Sequence, residues 1–451
     1  MCSYNAPNFL LPPQELIAMG GIARQFSVVE TELLDCIAES YSVEQTHSFV
    51  AKFKPDVIVG IQGFECFEED MKVLDSIKKS TPSSALVLFG HYATLFSEEI
   101  LRKSLVDVII HGEPDLVFRD LLHEMIAKGD YSDVMGISYL KEGKYIYNES
   151  ELRIKNTKQL PVPAYELLKE GRYFEPFLQL PFGLIQSARG CPYSCNYCVR
   201  SFGQKLYYRS PEQIIEEIKI LKERFKIRSL RFIDDTFTAS RKRVMEICSM
   251  IIDNKLDIQW TCLSRVDTID EGMIDMMHKS GCKRIYFGIE SGSKEVLKFL
   301  NKEIDLDRAK ELIRYCRKSK IETFGFFITG TPVEDERALE DSIRFAMESD
   351  LDYISVSQLV LYPGTELFNQ YRHLINFSLY PYKNEWKEVS MNKEALEKEK
   401  LFYRRFYFRV GFAVNTIRLF VRNPLEYIQN AYHLLKYLLS SRNKHHRSDY
   451  F

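Results

Sequence analysis

Short apolar runs alternate with amphipathic stretches over the first 148 residues of the chain. Three runs have the length and composition of buried parallel strands and end near glycine, at 56–62, 85–90 and 106–112. Helical patterns lie between or after them, at about 67–79, 97–104 and 114–128. We therefore predict a Rossmann-like, doubly wound α/β domain over residues 1–148, which binds its ligand at the carboxyl ends of its strands.

The two ends of this domain are less regular. Residues 1–5 must serve as a short first strand, because a helix start follows directly at Pro12. Residues 136–148 are typical of a closing hairpin that turns at Glu142-Gly143. Residues 149–182 contain four prolines and little periodicity, which indicates a linker.

A second and more regular alternation begins after the linker. Six strand-like runs occur at 183–189, 230–234, 258–263, 284–290, 323–329 and 353–361. Each of the first five is followed by a helical pattern, and the helix after Ser210 has an N-cap, a proline at its first position and a capping-box glutamine, Gln213. We predict a (β/α)6 partial TIM barrel over residues 183–375, with its chemistry at the C-terminal ends of the strands.

Residues 376–451 are predicted to be a helical, basic region. From residue 401 onward the chain has nine lysines and arginines against Glu426 and Asp449, with aromatic residues interleaved. A helix of this kind either docks on the barrel, with its arginines extended to solvent, or lies on an anionic membrane surface. We expect docking for 401–415 and leave membrane contact open for 416–447.

Composition and charge narrow the functional class. The 451 residues are 45% apolar and 27% charged with a net charge of −2, which is typical of a folded protein of several domains and gives no general attraction to nucleic acid. No run reaches the roughly 18 consecutive apolar residues of a membrane span, and the first residues do not resemble a secretory signal. We expect a cytoplasmic enzyme.

Three of the ten cysteines lie within eight residues. Cys191, Cys195 and Cys198 form a CxxxCxxC pattern directly after the first barrel strand. Thiolates favour zinc or an iron–sulfur cluster, and each of these sites usually has four protein ligands. No fourth cysteine or histidine is nearby, so a four-iron cluster held here would keep one iron open. A zinc site completed by a distant histidine remains the alternative.

This loop, with the aromatic Tyr197 before its last cysteine, resembles that of the radical S-adenosylmethionine (SAM) superfamily. The resemblance implies that the three cysteines ligate a [4Fe-4S] cluster and that the open iron binds the amino and carboxylate groups of SAM. An electron from a donor such as flavodoxin or ferredoxin then cleaves SAM to a 5′-deoxyadenosyl radical, which removes a substrate hydrogen atom. Tyr197 is expected beside the adenine.

Polar segments at later strand ends resemble the same family. Asp234 and Asp235 end the second strand, although such a pair alone more commonly caps a helix. Arg265 follows the third strand and is expected at the SAM carboxylate or ribose. Glu290 lies in a GxESG segment and is expected at the SAM amino group, whereas Lys302 is placed for the carboxylate.

The fifth strand ends in a segment similar to the GxPxE turn of the family. Here Val333 occupies a position where many members have glycine, a departure that we expect to stiffen the turn. Tyr362 begins a Tyr-Pro-Gly-Thr segment that follows the sixth strand in the expected order.

The N-terminal domain resembles the cobalamin-binding domain that precedes many radical SAM cores. Its expected loop contacts are Gly90, His91, Gly112 and Glu113. It has no DxHxxG motif, so the histidine that usually ligates cobalt from below is missing. An empty scaffold with ordinary strand-end turns is the alternative.

Together these resemblances imply a radical SAM enzyme that functionalises an unactivated carbon of a small-molecule or lipid-like substrate. Cobalamin-dependent methyl transfer is the first hypothesis. The alternatives are an oxidoreductase or cyclase whose degenerate cobalamin domain binds substrate, and a non-catalytic redox or SAM-sensing protein. We expect no nucleic-acid partner, and we expect any membrane contact to be peripheral, at the inner face.

Overall fold

The computed structural model of the chain describes residues 10–63, 66–149, 157–169 and 178–422, and the single positions 154, 173, 175, 424 and 428. The predicted first strand at 1–5 lies outside the described residues, as does most of the basic tail after residue 422.

The N-terminal region is built on a five-stranded sheet whose strands lie side by side in chain order. These strands are β1 (Val57–Ile61), β2 (Ala85–Phe89), β3 (Val108–Ile110), β4 (Ile137–Lys141) and β5 (Lys144–Asn148). The first three are parallel, and β4 and β5 form the predicted antiparallel hairpin. Glu142 and Gly143 adopt positive φ angles of 51° and 75° in its turn.

Helices cover both faces of this sheet. They are α1 (Gln14–Ala23), α2 (Val43–Phe53), α3 (Phe67–Ser80), α4 (His91–Leu95), α5 (Ser97–Lys103) and α6 (Pro114–Lys128). Side chains alternate along each strand, so Val87 packs with α1 and α6 whereas Leu86 and Leu88 pack with α3, α4 and α5. The helices predicted at 67–79, 97–104 and 114–128 are confirmed.

The second sheet has six parallel strands, again in chain order. They are β6 (Phe182–Ile185), β9 (Ser229–Phe232), β10 (Gln259–Ser264), β11 (Cys282–Glu290), β12 (Glu322–Thr329) and β13 (Tyr353–Gln358), and a separate ladder joins β7 (Ala188–Arg189) to β8 (Tyr207–Tyr208). All six predicted strands are present, and the first is shorter than expected because 188–189 leave the main sheet. Parallel strands place their carboxyl ends along one edge, and the functional site lies there.

Helices follow the strands in regular alternation. They are α7 (Pro211–Phe225), α8 (Arg241–Asp253), α9 (Glu271–Lys279), α10 (Lys294–Phe299), α11 (Leu306–Lys318), α12 (Glu336–Glu348) and α13 (Glu366–Tyr371). The predicted capping box of α7 is confirmed, since the Ser210 amide donates to Gln213 Oε1 at 3.0 Å and the Gln213 amide donates to Ser210 Oγ. The apolar face of α7 is buried against the sheet.

The C-terminal region begins with a hairpin, so the prediction that it is helical from residue 376 was wrong at that point. The strands β14 (Ile375–Ser378) and β15 (Lys383–Trp386) precede the helices α14 (Val389–Tyr407) and α15 (Val410–Arg422). Pro381 cannot donate within a helix and lies in the turn. Leu379 and Tyr380 pack into the N-terminal core, where the ring of Tyr380 lies 5.2 Å from that of Phe67.

Helix α14 protects the edge strand β13. The Tyr403 hydroxyl accepts from the Val356 amide at 2.9 Å and donates to the carbonyl of the same residue, and Tyr407 does the same at Ile354. The two tyrosines therefore take the place of a neighbouring strand along an edge that would otherwise be free to pair. This confirms the docking expected for residues 401–415.

The helices in the described part of the chain are too short or too polar to cross a bilayer.

The tyrosine contacts make a prediction about stability. We expect Tyr403→Phe/Tyr407→Phe to lower the free energy of unfolding by about 2 kcal/mol in urea titrations, because each hydroxyl satisfies one backbone amide and one carbonyl. Tyr147→Phe is the matched control, since the exposed Tyr147 ring contacts His111 without a hydroxyl hydrogen bond among the described residues. An unfolding curve for the double variant that overlays the wild type would contradict this account of the edge.

Candidate functional site

The three clustered cysteines lie on a loop closed at its base by the β7–β8 ladder. The Cys191 amide donates to the Gly203 carbonyl at 3.1 Å, and the preceding Gly190 adopts a φ of +88°. A Cβ at Gly190 would lie 2.2 Å from the Lys205 carbonyl oxygen. Glycine is thus required here both for the backbone angle and for the close approach of the two sides of the loop.

Two asparagines fix the middle of the loop. Asn196 Nδ2 donates to the Phe299 carbonyl at 2.7 Å, and its own carbonyl accepts from the Leu367 amide. Asn301 Nδ2 donates to the Ser194 carbonyl at 2.6 Å. Neither asparagine was predicted from the sequence, although Asn301 is adjacent to Lys302 and its positive φ of 49° is typical of asparagine.

The thiols are close enough to influence one another. Desolvation, followed by the charges of Asp235, Cys195 and Cys191, raises the pKa of Cys198 to about 12. Three thiolates can coexist here only with a compensating positive centre. Among the described residues, three histidine, cysteine or carboxylate side chains nowhere converge on a single-ion position.

Asp234 anchors the strand that leads into the loop. Its buried carboxylate accepts from the amides of Ser187 and Ala188 at 2.6 and 2.9 Å and from the Ser187 hydroxyl. Burial raises the pKa of Asp234, and the charge of Arg243 opposes this. The observed partners are protein groups that position the cysteine loop, so contact between Asp234 and a cofactor stays a prediction.

Arg265 lies directly against the cluster loop. Its Nη1 is 3.5 Å from Cys195 Sγ, its remaining donors bind the Asp267 carboxylate, and its guanidinium lies 4.0 Å from the centre of the Tyr193 ring. A cation beside a cysteine favours the thiolate, which is the form that binds metal. The structure thus places Arg265 at the site, next to a cysteine ligand.

Glu290 and Lys302 form one buried unit. Their side chains meet at 2.7 Å, and Glu290 has a φ of +68° at a bulge in the pairing of β11 with β12. Gly288 makes room for them, because a Cβ there would lie 2.8 Å from Lys302 Nζ. Tyr197 lies alongside and packs on the apolar cluster that includes Leu300.

Charge and burial act together on Tyr197. Burial, followed by the charge of Glu290, raises the pKa of the Tyr197 hydroxyl well above its ordinary value. The structure therefore brings Tyr197, Glu290 and Lys302 together under the cysteine loop.

The turn after β12 contains polar atoms that lack partners. Thr329 Oγ1, Thr331 Oγ1 and Glu334 Oε1 are buried and form no hydrogen bond within the described part of the chain. The other Glu334 oxygen accepts from the Gly330 amide at 2.7 Å, and burial raises the pKa of this carboxyl. Unsatisfied buried groups are costly, so the turn suits a polar ligand. Val333 packs on a neighbouring apolar cluster.

An ion-pair network joins the two sheets beside the cysteines. Arg189 donates to both oxygens of Asp115 at 2.7 and 3.0 Å and to Glu113 at 3.2 Å. All three side chains are at least nine-tenths buried. Arg189 and Asp115 were not identified from the sequence, because nothing in the motif pairs an arginine with a residue 74 positions away.

The other predicted N-terminal residues lie along the same sheet edge. Gly90 has a φ of +113°, and a Cβ there would lie 2.8 Å from the Gln62 carbonyl oxygen. His91 Nε2 is 3.2 Å from the carbonyl oxygen of Pro363, in the segment between β13 and α13, and burial lowers the pKa of His91. Gly112, with a φ of +66°, borders open space.

Two acceptor atoms at this edge have no hydrogen-bond partner among the residues that the structure describes. Gln62 Oε1, after β1, and Glu113 Oε1, after β3, are both buried. Burial raises the pKa of Glu113, whereas the charge of Arg189 opposes this. The edge therefore offers acceptors to a ligand that carries hydrogen-bond donors.

Comparison with known proteins agrees with this geometry. Residues 185–346 match the model of the Radical SAM superfamily. The chain is 32% identical over 361 residues to an uncharacterized methyltransferase of Pyrococcus horikoshii, a match that covers 79% of this chain and 78% of the relative. It is 23% identical over 415 residues to the anaerobic magnesium-protoporphyrin IX monomethyl ester cyclase of Rubrivivax gelatinosus, covering 89% of this chain and 74% of the relative.

Two solved structures share the fold. The radical SAM methyltransferase TsrM from Kitasatospora setae, with cobalamin and a [4Fe-4S] cluster bound, has a TM-score of 0.67 at 16% identity and covers 80% of this chain and 72% of its own. The cobalamin-dependent SAM radical enzyme OxsB has a TM-score of 0.73 at 18% identity, covering 98% and 70%. From its cysteine loop and these relatives, the chain belongs to the radical SAM superfamily of enzymes, which use a [4Fe-4S] cluster and SAM.

Proposed function

We propose that this enzyme is a cobalamin-dependent methyltransferase acting on an unactivated carbon of a small-molecule or lipid-like substrate. One observation carries the proposal: the contact of Glu113 and Asp115 with Arg189 places the N-terminal sheet edge, with its unpartnered acceptors, beside the cysteine loop. The methyltransferase names of several relatives and the fold shared with cobalamin-bound enzymes support it.

The residues of the second sheet suit the cofactors of the family. Cys191, Cys195 and Cys198 would ligate the cluster, and Arg265 would contact the sulfur of Cys195 beside it. When bound, the cluster and SAM supply a 5′-deoxyadenosyl radical that removes a substrate hydrogen atom. We also infer that the six-stranded sheet curves into a partial (β/α)6 barrel and that the N-terminal domain is Rossmann-like and doubly wound.

The polar side chains below the loop suit the amino-acid end of SAM. Glu290 would accept from its amino group, and Lys302, which is paired with Glu290, would bind its carboxylate. Thr331 Oγ1 and Glu334 Oε1, which lack partners among the described residues, would accept from the ribose hydroxyls or the amino group. Tyr197 shields this region from water on the side of the apolar cluster. Their common task is to orient a polar ligand in a site closed to solvent.

The N-terminal edge suits cobalamin by donor chemistry. The corrin ring carries peripheral amides, whose N–H groups match the free acceptors Gln62 Oε1 and Glu113 Oε1. Neither nearby histidine is directed at a ligand, because His91 contacts Pro363 and His111 Nε2 lies 2.9 Å from Ser138 Oγ. We propose that cobalamin is held through its periphery, without a histidine ligand, and supplies the methyl group when bound.

The second candidate is a radical SAM oxidoreductase or cyclase whose N-terminal domain is empty of cobalamin and binds substrate. The likeness to a cyclase over 89% of this chain favours it. For either function we propose a cytoplasmic enzyme reduced by a flavodoxin or a ferredoxin.

The two candidates separate in one experiment. The protein is reconstituted anaerobically with iron, sulfide and hydroxocobalamin, freed of unbound corrinoid, and incubated with reductant and SAM deuterated at its methyl group. A cell extract from which the enzyme has been removed supplies the substrate. If the enzyme transfers methyl groups, the protein shows the absorbance of bound corrinoid and the products carry deuterated methyl groups. Formation of 5′-deoxyadenosine without bound corrinoid would favour the cyclase.

The free acceptors predict which residues bind the corrinoid. We expect Gln62→Leu to weaken hydroxocobalamin binding about tenfold in spectroscopic titrations, because a buried hydrogen bond to the ligand is lost while iron content is kept. Gln25→Leu, on an exposed glutamine, should bind as tightly as the wild type. Equal affinity of Gln62→Leu and the wild type would show that this edge does not hold the corrinoid.

The closed loop predicts the effect of a single methyl group. We expect Gly190→Ala to lose most of its cluster absorbance and iron, because the new Cβ would clash with the Lys205 carbonyl at the foot of the loop. Gly129→Ala is the matched control, since Gly129 also has a positive φ, +67°, but a Cβ there meets only open space. Full iron incorporation in Gly190→Ala would refute this account of the loop.

A further inference from the structure

Helix α15 has two faces with different surroundings. On one face Asn415 and Leu419 are buried, and Asn415 Nδ2 donates to Asp352 at 2.9 Å. This face docks the helix on the protein and leaves the opposite face to solvent.

The opposite face is apolar. Val410, Val414, Ile417 and Val421 follow one another at intervals of three or four residues, which places them in one row along a helix. They are 83, 60, 64 and 72% exposed. We call these four residues the exposed stripe, and Phe408, at 89% exposure, extends it toward α14. Contiguous apolar surface of this kind usually marks an interaction site.

The charge of this segment indicates which kind of surface the exposed stripe binds. Residues 401–422 contain five arginines and no acidic residue. By helical position, Arg418 lies along one flank of the stripe, and it is 42% exposed while it pairs with Asp352. An apolar row with a basic flank matches the boundary between acyl chains and anionic headgroups.

We propose that the exposed stripe docks this enzyme on an anionic bilayer surface. The valine and isoleucine side chains enter the acyl region, and the flanking Arg418 reaches lipid phosphates. The inference is independent of the proposed function, because it uses none of the residues assigned to the cluster, SAM or cobalamin.

The position of α15 relative to the cysteine loop indicates how docking on a bilayer would affect the functional site. Arg409 donates to the Leu351 carbonyl, and Arg317 donates to Asn415, so α15 lies where β13 begins. The cysteine loop lies at the opposite end of the strands, beyond their carboxyl ends. Docking therefore tethers the protein while the site faces away from the bilayer, and SAM cleavage does not require vesicles.

The test is co-sedimentation of the full chain with vesicles of phosphatidylcholine alone or mixed equally with phosphatidylglycerol. We expect about tenfold or greater preference for the anionic vesicles at low salt, with loss of binding in Val414→Asp/Ile417→Asp. Val28→Asp, on a valine that is 76% exposed elsewhere, should bind like the wild type. A milder variant, Val414→Ser/Ile417→Ser, replaces the aspartate variant if the aspartates disturb folding. It should show an intermediate loss of vesicle binding.

A binding partner other than a bilayer would give different results in these experiments. Absence of vesicle binding by the wild type, or equal binding by both stripe variants, overturns the proposal. So does a wild-type dimer in analytical ultracentrifugation that becomes a monomer in Val414→Ser/Ile417→Ser, because the stripe would then bind a second copy of the chain. Helical content and iron content measured on each variant confirm that the compared proteins are folded.

Discussion

A buried arginine links the two sheets at the point where the chemistry of this protein is concentrated. Arg189 precedes the first clustered cysteine by two residues and binds two carboxylates, Glu113 and Asp115, from the end of the N-terminal sheet. Removing one partner from a buried pair typically costs about 3–5 kcal/mol, because an uncompensated charge remains inside the protein. The cysteine loop and the N-terminal edge therefore hold their positions together, and the proposal of cobalamin depends on that shared position.

The other buried charged groups of the site are also paired with protein atoms, which compensates for their removal from water. Asp234 receives three hydrogen bonds from the start of the loop, Arg265 faces Cys195, and Lys302 pairs with Glu290. Each of these charges has a partner of fixed geometry. The unpartnered oxygens, at Thr331 and Glu334 and at the N-terminal edge, are where ligands have to supply the missing contacts.

Sequence patterns predicted the helices and strands better than they predicted the side-chain contacts between them. The alternation of apolar runs located the six parallel strands and the hairpin at Glu142, because burial on the two faces of a strand leaves a periodic signature. The spacing of three cysteines located the loop. The Arg189–Asp115 pair and the two loop asparagines were missed, because a contact between distant positions leaves no local pattern. The hairpin at 375–386 was mistaken for helix, since its strands pack beside Leu367 while its turn packs on a different region, the N-terminal core.

Electron paramagnetic resonance of the reduced protein tests the central claim most directly. The account predicts that anaerobically reconstituted protein gives a [4Fe-4S]⁺ signal whose g values change when SAM is added, because an iron without a protein ligand takes up SAM. It also predicts that serine at Cys191, Cys195 or Cys198 removes the signal. A protein that binds only zinc, or a cluster signal that SAM leaves unchanged, would contradict it.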